Sequence, residues 1–305
     1  MQKDFLSIRD LSRSDAMGLF ESAAELKART RAGAAFQPLP GRTLGMIFTK
    51  RSTRTRVSFE VGMFQLGGHA LFLSAQDIQM GKSETIADTA RVLSRFVDAV
   101  MIRTFSHAEV EELAEFATIP VINGLTDLLH PCQVMADLFT WYEVHGSLDD
   151  VRVTYVGDGN NLANSWINAA AVLPIRLTVA CPEGYRPHPD LLARARAVAT
   201  NPIEVTDDVR AAARGAQVLY TDVWASMGQE DETAVRRRDL AAYRIDKGLL
   251  GLAAPECMVM HCLPAHRGDE ITSEVMDGSN SVVFEEAENR LHMQKAILVK
   301  LMGAP

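Results

Sequence analysis

Apolar positions along the chain follow two rhythms. Short, mainly apolar runs, at Met46 to Phe48, Leu71 to Leu73, Ala99 to Ile102, Val121 and Ile122, Val151 to Val156, Leu177 to Ala180, Val218 to Tyr220, Met258 to Met260 and Val282 to Phe284, alternate with longer segments of helical spacing. A run that is apolar on both faces suits a strand covered on both sides, and its alternation with helices predicts α/β architecture built on parallel sheets. Between Pro131 and His145, residues Val134, Leu138, Trp141 and Tyr142 make one apolar face. Pro131 suits the first helical position and Gly146 the stop, so a helix bridging two domains is expected there. Asn289 to Met302 repeats the helical pattern at Leu291, Ile297 and Leu298 and would return the chain to the first domain. The pattern implies two doubly wound parallel-sheet domains linked by bridging helices: residues 1–131 completed by 289–305, and residues 132–288. There is no internal repeat or low-complexity tract.

One strand-to-helix junction carries an unusual set of donors. The run Leu44-Gly45-Met46-Ile47-Phe48 is followed by Ser52-Thr53-Arg54-Thr55-Arg56 and then by Val57, Val61 and Phe64 at i, i+4, i+7. The first turn of a helix leaves backbone N–H groups unpaired and carries the positive end of the dipole. Hydroxyls and guanidinia added there make a site for a doubly charged anion such as phosphate. Taken alone, the same residues also suit a solvated basic helix start.

Composition narrows the setting. The chain has 305 residues, 47% of them hydrophobic and 23% charged, as in ordinary globular enzymes, and is long enough for two cores. With 31 Lys and Arg against 39 Asp and Glu, the net charge of −8 argues against general nucleic-acid binding, so any cationic site must come from local clustering. No stretch approaches the roughly 20 apolar residues that span a bilayer. The first residues, with Lys3, Asp4, Arg9 and Asp10, lack a signal-peptide core, so a cytoplasmic setting without membrane partners is expected. Cys132, Cys181, Cys257 and Cys262 suggest no disulfide framework, and no C-x-x-C or H-E-x-x-H spacing points to a metal.

The other residues with chemical potential lie just after expected strands. Arg103 follows Met101-Ile102, Asp158 follows Tyr155-Val156, Asp222 follows Leu219-Tyr220, and His261-Cys262 follows Val259-Met260. In open parallel sheets ligands bind beyond the carboxyl ends of the strands, which implies one active site in a cleft between the domains. His130-Pro131-Cys132-Gln133 stands where the bridging helix begins, so its His and Gln can donate to a neutral oxygen, although a His there is also a common structural residue. In His261-Cys262-Leu263-Pro264 a nucleophilic cysteine is conceivable. Adjacent strand residues, however, point to opposite faces, which makes His261 a poor base for Cys262. Gly157-Asp158-Gly159-Asn160-Asn161 has the start of a dinucleotide fingerprint but no third glycine at the required offset. Left-handed turn geometry is a sufficient account of Asn160.

Together these motifs resemble the transcarbamylase family. Phe48-x-Lys50-x-Ser52-x-Arg54-Thr55-Arg56 and His130-Pro131-x-Gln133 look like the carbamoyl phosphate motifs shared by the whole family. Asp222-Val223-Trp224-Ala225-Ser226-Met227-Gly228 and the His-Cys-Leu-Pro segment are similar to its ornithine branch, as are Gly157 to Asn161 and Glu286-Ala287-Glu288-Asn289-Arg290. The resemblance implies transfer of the carbamoyl group of carbamoyl phosphate to the δ-amine of L-ornithine, without a covalent enzyme intermediate or cofactor, as a step of arginine biosynthesis.

By the same resemblance Ser52, Thr53, Arg54 and Thr55 would hold the phosphate, with Arg103 and Arg290 closing around the ligand. Arg103, His130 and Cys262 would be the catalytic residues, and Gln79, Gln133 and Leu263 would complete the carbamoyl phosphate set. Asn161, Asp222, Ser226 and Met227 would bind ornithine. The polar segment Asp77 to Glu84 would be a flap that reaches a neighbouring subunit, giving a homotrimer with shared sites, with Lys82 and Glu84 as a solvated charge pair. Transcarbamylases using N-acetylornithine or putrescine, and a non-catalytic anion-binding paralogue, are the alternatives.

Overall fold

A computed structural model describes residues 2–225, 228 and 230–303, and the chain divides into two compact units, residues 1–143 with 288–305, and residues 144–287. The divisions fall inside two helices, Pro131–His145 and Val283–Met302. Among the described residues no helix is long and apolar enough to cross a membrane.

In the first unit four parallel strands, β1 (Thr43–Phe48), β2 (His69–Ser74), β3 (Ala99–Arg103) and β4 (Val121–Leu125), stand in the order β2-β1-β3-β4. Central β3 is buried along its whole length because helices cover both faces. Ile47, Val100, Ile102 and Val121 pack with Val110 and Leu113 from the helix His107–Phe116. The outer edge of β4 is closed by Phe5, whose N–H donates to Val121 O at 2.9 Å and whose carbonyl accepts from Asn123 N at 2.9 Å.

The second unit orders five parallel strands as β7-β6-β5-β8-β9: β5 (Arg152–Val156), β6 (Arg176–Ala180), β7 (Ile203–Thr206), β8 (Val218–Thr221) and β9 (Met258–His261). Its core gathers Val156, Leu219, Trp224, Leu240, Ile245, Val259 and Ile271. In both units successive strands run outward in opposite directions from one pair, β1 and β3 in the first and β5 and β8 in the second. Such a switch point opens a crevice at the strands' carboxyl ends. It is there that the donor-bearing turns fall.

Three features depart from the hydrophobic pattern. The run Val282 to Phe284 is not a strand: Val259 meets Ser281 in an isolated bridge, and the chain then turns into the helix Val283–Met302, with Val283 buried and Phe284 exposed. β7 escapes the apolar pattern because it is a short edge strand, Ile203-Glu204-Val205-Thr206, of which only Ile203 is buried. The stripe Val57, Val61 and Phe64 that signals the helix Thr53–Gln65 is its uncovered side, with Phe64 78% exposed. The covered face is Thr55, Phe59, Gly62 and Met63.

The glycine pair in Gly157-Asp158-Gly159 is explained by packing. Gly157 has φ +125°, open to glycine but strained for other residues, and Gly159 donates to Tyr185 O at 2.8 Å. A Cβ on Gly159 would lie 2.4 Å from Pro187 N and 2.6 Å from Tyr185 O. The neighbours are backbone and cannot swing aside. Gly159→Ala is therefore expected to destabilise the second unit by about 1–3 kcal/mol, as overpacking does. Urea midpoints followed by Trp fluorescence would check it, and an unchanged midpoint would refute the packing account.

Candidate active site

In the first unit the helix Thr53–Gln65 begins directly after β1, and Ser52 caps it by accepting Thr55 N–H at 3.2 Å. The capped turn presents Thr53, Arg54 and Thr55 at the positive end of the helix. Thr55 is 1% exposed, and its hydroxyl oxygen accepts from Arg103 at 3.4 Å and from Arg290 at 2.9 Å. Both lone pairs are thereby engaged, which leaves its O–H as a donor. Arg103 ends β3 beside this turn, and Arg290 arrives from the helix Val283–Met302. Both guanidinium residues are buried.

His130 joins the same group. Burial, reinforced by the positive charges of Arg290, Arg103 and Arg54, holds its imidazole well below the ordinary histidine value. It is a neutral donor at physiological pH. Gln133, one turn into the helix Pro131–His145, donates to Asp137 at 2.8 Å. Cys132 is inert, its thiol pushed up to about 12 by burial. Lys50 turns to Asp127 and lies 4.1 Å from the Phe105 ring centroid, so it braces the turn from behind.

Gln79 is not gathered into this group by any hydrogen bond of its own turn. It is exposed and accepts from Ser83, within a turn closed by Gly81 N–H donating to Glu84 O at 2.9 Å. Lys82 and Glu84 are not a mutual pair: Lys82 donates to Ala75 O at 2.7 Å, and Glu84 accepts from Thr89 at 2.8 Å.

In the second unit the turns after β5, β8 and β9 adjoin because those strands are neighbours. Asp222 is the hub. It accepts from Asn160 Nδ2 at 2.8 Å and from Cys262 Sγ at 3.0 Å. Asn160 is not in a left-handed turn: with φ −76° it caps the helix Asn161–Val172, accepting Leu162 N–H at 2.9 Å. Its role as a brace for Asp222 is invisible in the sequence because the partner is 62 residues away. Asn161 opens the helix beside it. Ser226 and Met227 lie outside the described residues.

Asp158, after β5, is paired with Arg236 at 2.8 Å. Burial raises its carboxyl to about 6 in spite of that cation. Arg236 also donates to Trp224 O at 3.1 Å, tying the two ends of the Asp222 to Glu232 segment together.

His261, Cys262 and Asp222 bring donor atoms within 4.8 Å of one another, closer than alternation along a strand suggests. His261 is nonetheless no base for the thiol, because its Nδ1 accepts Leu263 N–H at 2.9 Å and its Nε2 faces Glu270 at 3.1 Å.

The sequence matches two family models in order: "Aspartate/ornithine carbamoyltransferase, carbamoyl-P binding domain" over residues 3–143, and "Aspartate/ornithine carbamoyltransferase, Asp/Orn binding domain" over residues 149–301. The ornithine carbamoyltransferase of Syntrophus aciditrophicus (strain SB) is 58% identical over 298 residues, 98% of this chain and 99% of that protein. That of Methanoculleus marisnigri is 54% identical over 303 residues, 99% of this chain and 98% of its own length. The solved ornithine carbamoyltransferase from Pyrococcus furiosus superposes with a TM-score of 0.95 at 50% identity, over 99% of this chain and 97% of that one. On these matches, spanning both units, the chain belongs to the aspartate/ornithine carbamoyltransferase family.

Proposed function

We propose that this protein transfers the carbamoyl group of carbamoyl phosphate to the δ-amine of L-ornithine, giving L-citrulline and phosphate. The observation that carries it is the sorting of charge at two switch points: three guanidinia around a neutral His130 in one unit, and Asp222 tied to Cys262 in the other. The first suits a dianionic phosphate, the second a cationic amino acid. In this reading residues 1–131 and 289–305 serve carbamoyl phosphate and 132–288 serve ornithine.

Ser52, Thr53, Arg54, Thr55 and Arg290 hold the phosphate oxygens. Arg103 and His130 polarise the carbamoyl carbonyl and stabilise the tetrahedral oxyanion, assisted by Gln133 and the Leu263 backbone. One such donor is worth about 2.7–4 kcal/mol in a preorganised site, whereas an exposed ion pair gives about 0–1 kcal/mol. Exclusion of water is therefore part of the mechanism. Ornithine is held through Asn161, Asp222, Ser226 and Met227. Its δ-ammonium must lose a proton before attack, and the departing phosphate is an available acceptor. Cys262 orients this amine; its hydrogen bond to Asp222 suits a polar contact better than nucleophilic attack.

Because carbamoyl phosphate is an activated mixed anhydride, transfer runs towards citrulline, which favours a role in arginine biosynthesis. The four free cysteines agree with a reducing, cytoplasmic setting. A homotrimer sharing sites is supported by the apolar stripe of Val57, Val61 and Phe64 left uncovered beside the phosphate turn, and by the exposure of Gln79.

Citrulline formation assayed with ornithine, N-acetylornithine, putrescine and aspartate tests the assignment; turnover with ornithine alone is expected, and a preference for another amine would overturn it. Arg54→Ala should lower kcat/KM by two or more orders of magnitude with the melting temperature nearly unchanged, since it removes a charge-assisted donor to the phosphate. For the shared site, mixing Arg103→Ala with Gln79→Ala subunits should regenerate some sites with both side chains intact and raise activity above the sum of the parents. A confirmed mixed assembly without that gain would exclude the shared-site arrangement.

A further inference from the structure

Leu263 has φ +57°, a left-handed conformation that is strained for a side chain with a Cβ. Such strain persists only where the surroundings over-determine it. The surroundings here are a chain of hydrogen bonds through His261. Leu263 N–H donates to His261 Nδ1 at 2.9 Å, so the ring proton resides on Nε2 and donates to Glu270 Oε1 at 3.1 Å. Glu270 also accepts His266 N–H at 2.5 Å, gripping the far side of the turn, while His261's own N–H donates to Glu286 at 2.9 Å. His261, Glu270 and Glu286 are each at most 1% exposed.

From this geometry we infer that His261, held in its Nε2–H tautomer by Glu270, is a positioning residue: it fixes Leu263 in the left-handed conformation and so sets the direction of the Cys262 thiol and of the Cys262–Leu263 backbone. The inference deepens the carbamoyl-transfer reading and rests on it for the roles of Cys262 and Leu263. It assigns His261 no proton transfer. The Nδ1 lone pair that a base would use is occupied by Leu263, and protonating Nδ1 would set two N–H donors against each other.

Asn and Gln separate the two ring nitrogens. An Asn side chain can put an acceptor near the Nδ1 position, whereas Gln reaches the Nε2 position and leaves Leu263 N–H without its acceptor. His261→Gln should lower kcat about 100-fold, the scale of a 1 Å misplacement in an active site. Phosphate affinity should be unchanged, because its donors lie in the other unit. His261→Asn should recover most of the turnover. Glu270→Gln, which keeps an acceptor for both N–H groups, should retain turnover within a few-fold and leave the pH profile of kcat in place. A charge relay would instead lose about 10⁴-fold, as losing the tautomer-holding carboxylate does in a serine protease triad.

Hydrogen exchange of the Leu263 amide supplies a readout that needs no substrate: protected in the parent and in His261→Asn, unprotected in His261→Gln. Rapid exchange in the parent, a fully active His261→Gln, or collapse of folded Glu270→Gln with a lost limb in its pH profile would each overturn the inference. Should His261→Gln not fold, the Glu270→Gln and His261→Asn results decide it. Failure of the parent to form citrulline would instead defeat the proposed reaction, with the exchange result still standing.

Discussion

Three guanidinium groups gathered at one place repel one another, and that repulsion is the constraint on which the first unit's crevice depends. Two like charges about 4 Å apart repel by about 4 kcal/mol at an effective dielectric constant near 20, so the cluster around Thr55 and His130 is tolerable only with strong positioning. Much of that positioning comes from backbone. Parallel strand order sets Arg103 beside the turn after β1, and the helix Val283–Met302 delivers Arg290 to the same hydroxyl. The neutrality of His130 then follows, since a fourth cation there would meet both burial and its neighbours' charge. An anion is the one guest that relieves all of these terms together.

The helix Val283–Met302 must itself be fixed for Arg290 to be held accurately. Lys27 is 3% exposed and binds Glu143 and Asn289, each at 2.7 Å. Lys295, two turns further, donates to Thr30 at 2.7 Å and to Gln65 at 2.8 Å, and burial brings its ammonium down to about 8. Gln65 closes the helix that Ser52 caps. The helix that Ser52 caps and the helix that carries Arg290 are thus joined through largely buried polar contacts as well as through Thr55. Buried polar contacts of this sort contribute little net stability when complete but penalise any alternative packing.

How far these arrangements could be read in the sequence depends on the range of the forces involved. Local signals were legible: Ser52 before a helix, Pro131 at a helix start, Gly146 with φ +71° after its end, and strands buried on both faces. Edge positions were not, since β7 is half polar and the run at 282–284 follows a single bridge at Ser281 and coils into a helix. The Val57 stripe gave the right element for the wrong reason: its period is helical, yet it marks the side the isolated chain leaves uncovered. Long-range hydrogen bonds left no trace either. Nothing near Asn160 in sequence announces Asp222, 62 residues away, so a helix cap became a brace only when the sheet placed it.

The two units apply one device to opposite charges. Each opens a crevice where strand order reverses, and each stiffens the loops there with buried groups that are themselves fixed by neighbours. In the first unit a cation cluster surrounds a neutral imidazole. In the second a carboxylate, Asp222, receives an amide and a thiol, and an imidazole is spent on holding backbone. The two histidines differ in what holds them: His130 is kept uncharged by burial and by the neighbouring cations, and His261 is engaged by backbone at Nδ1 and by Glu270 at Nε2. Neither is arranged as a proton carrier. A protein organised this way favours a reaction whose proton traffic can be left to the reactants, as when a leaving phosphate takes the proton that an attacking amine must lose.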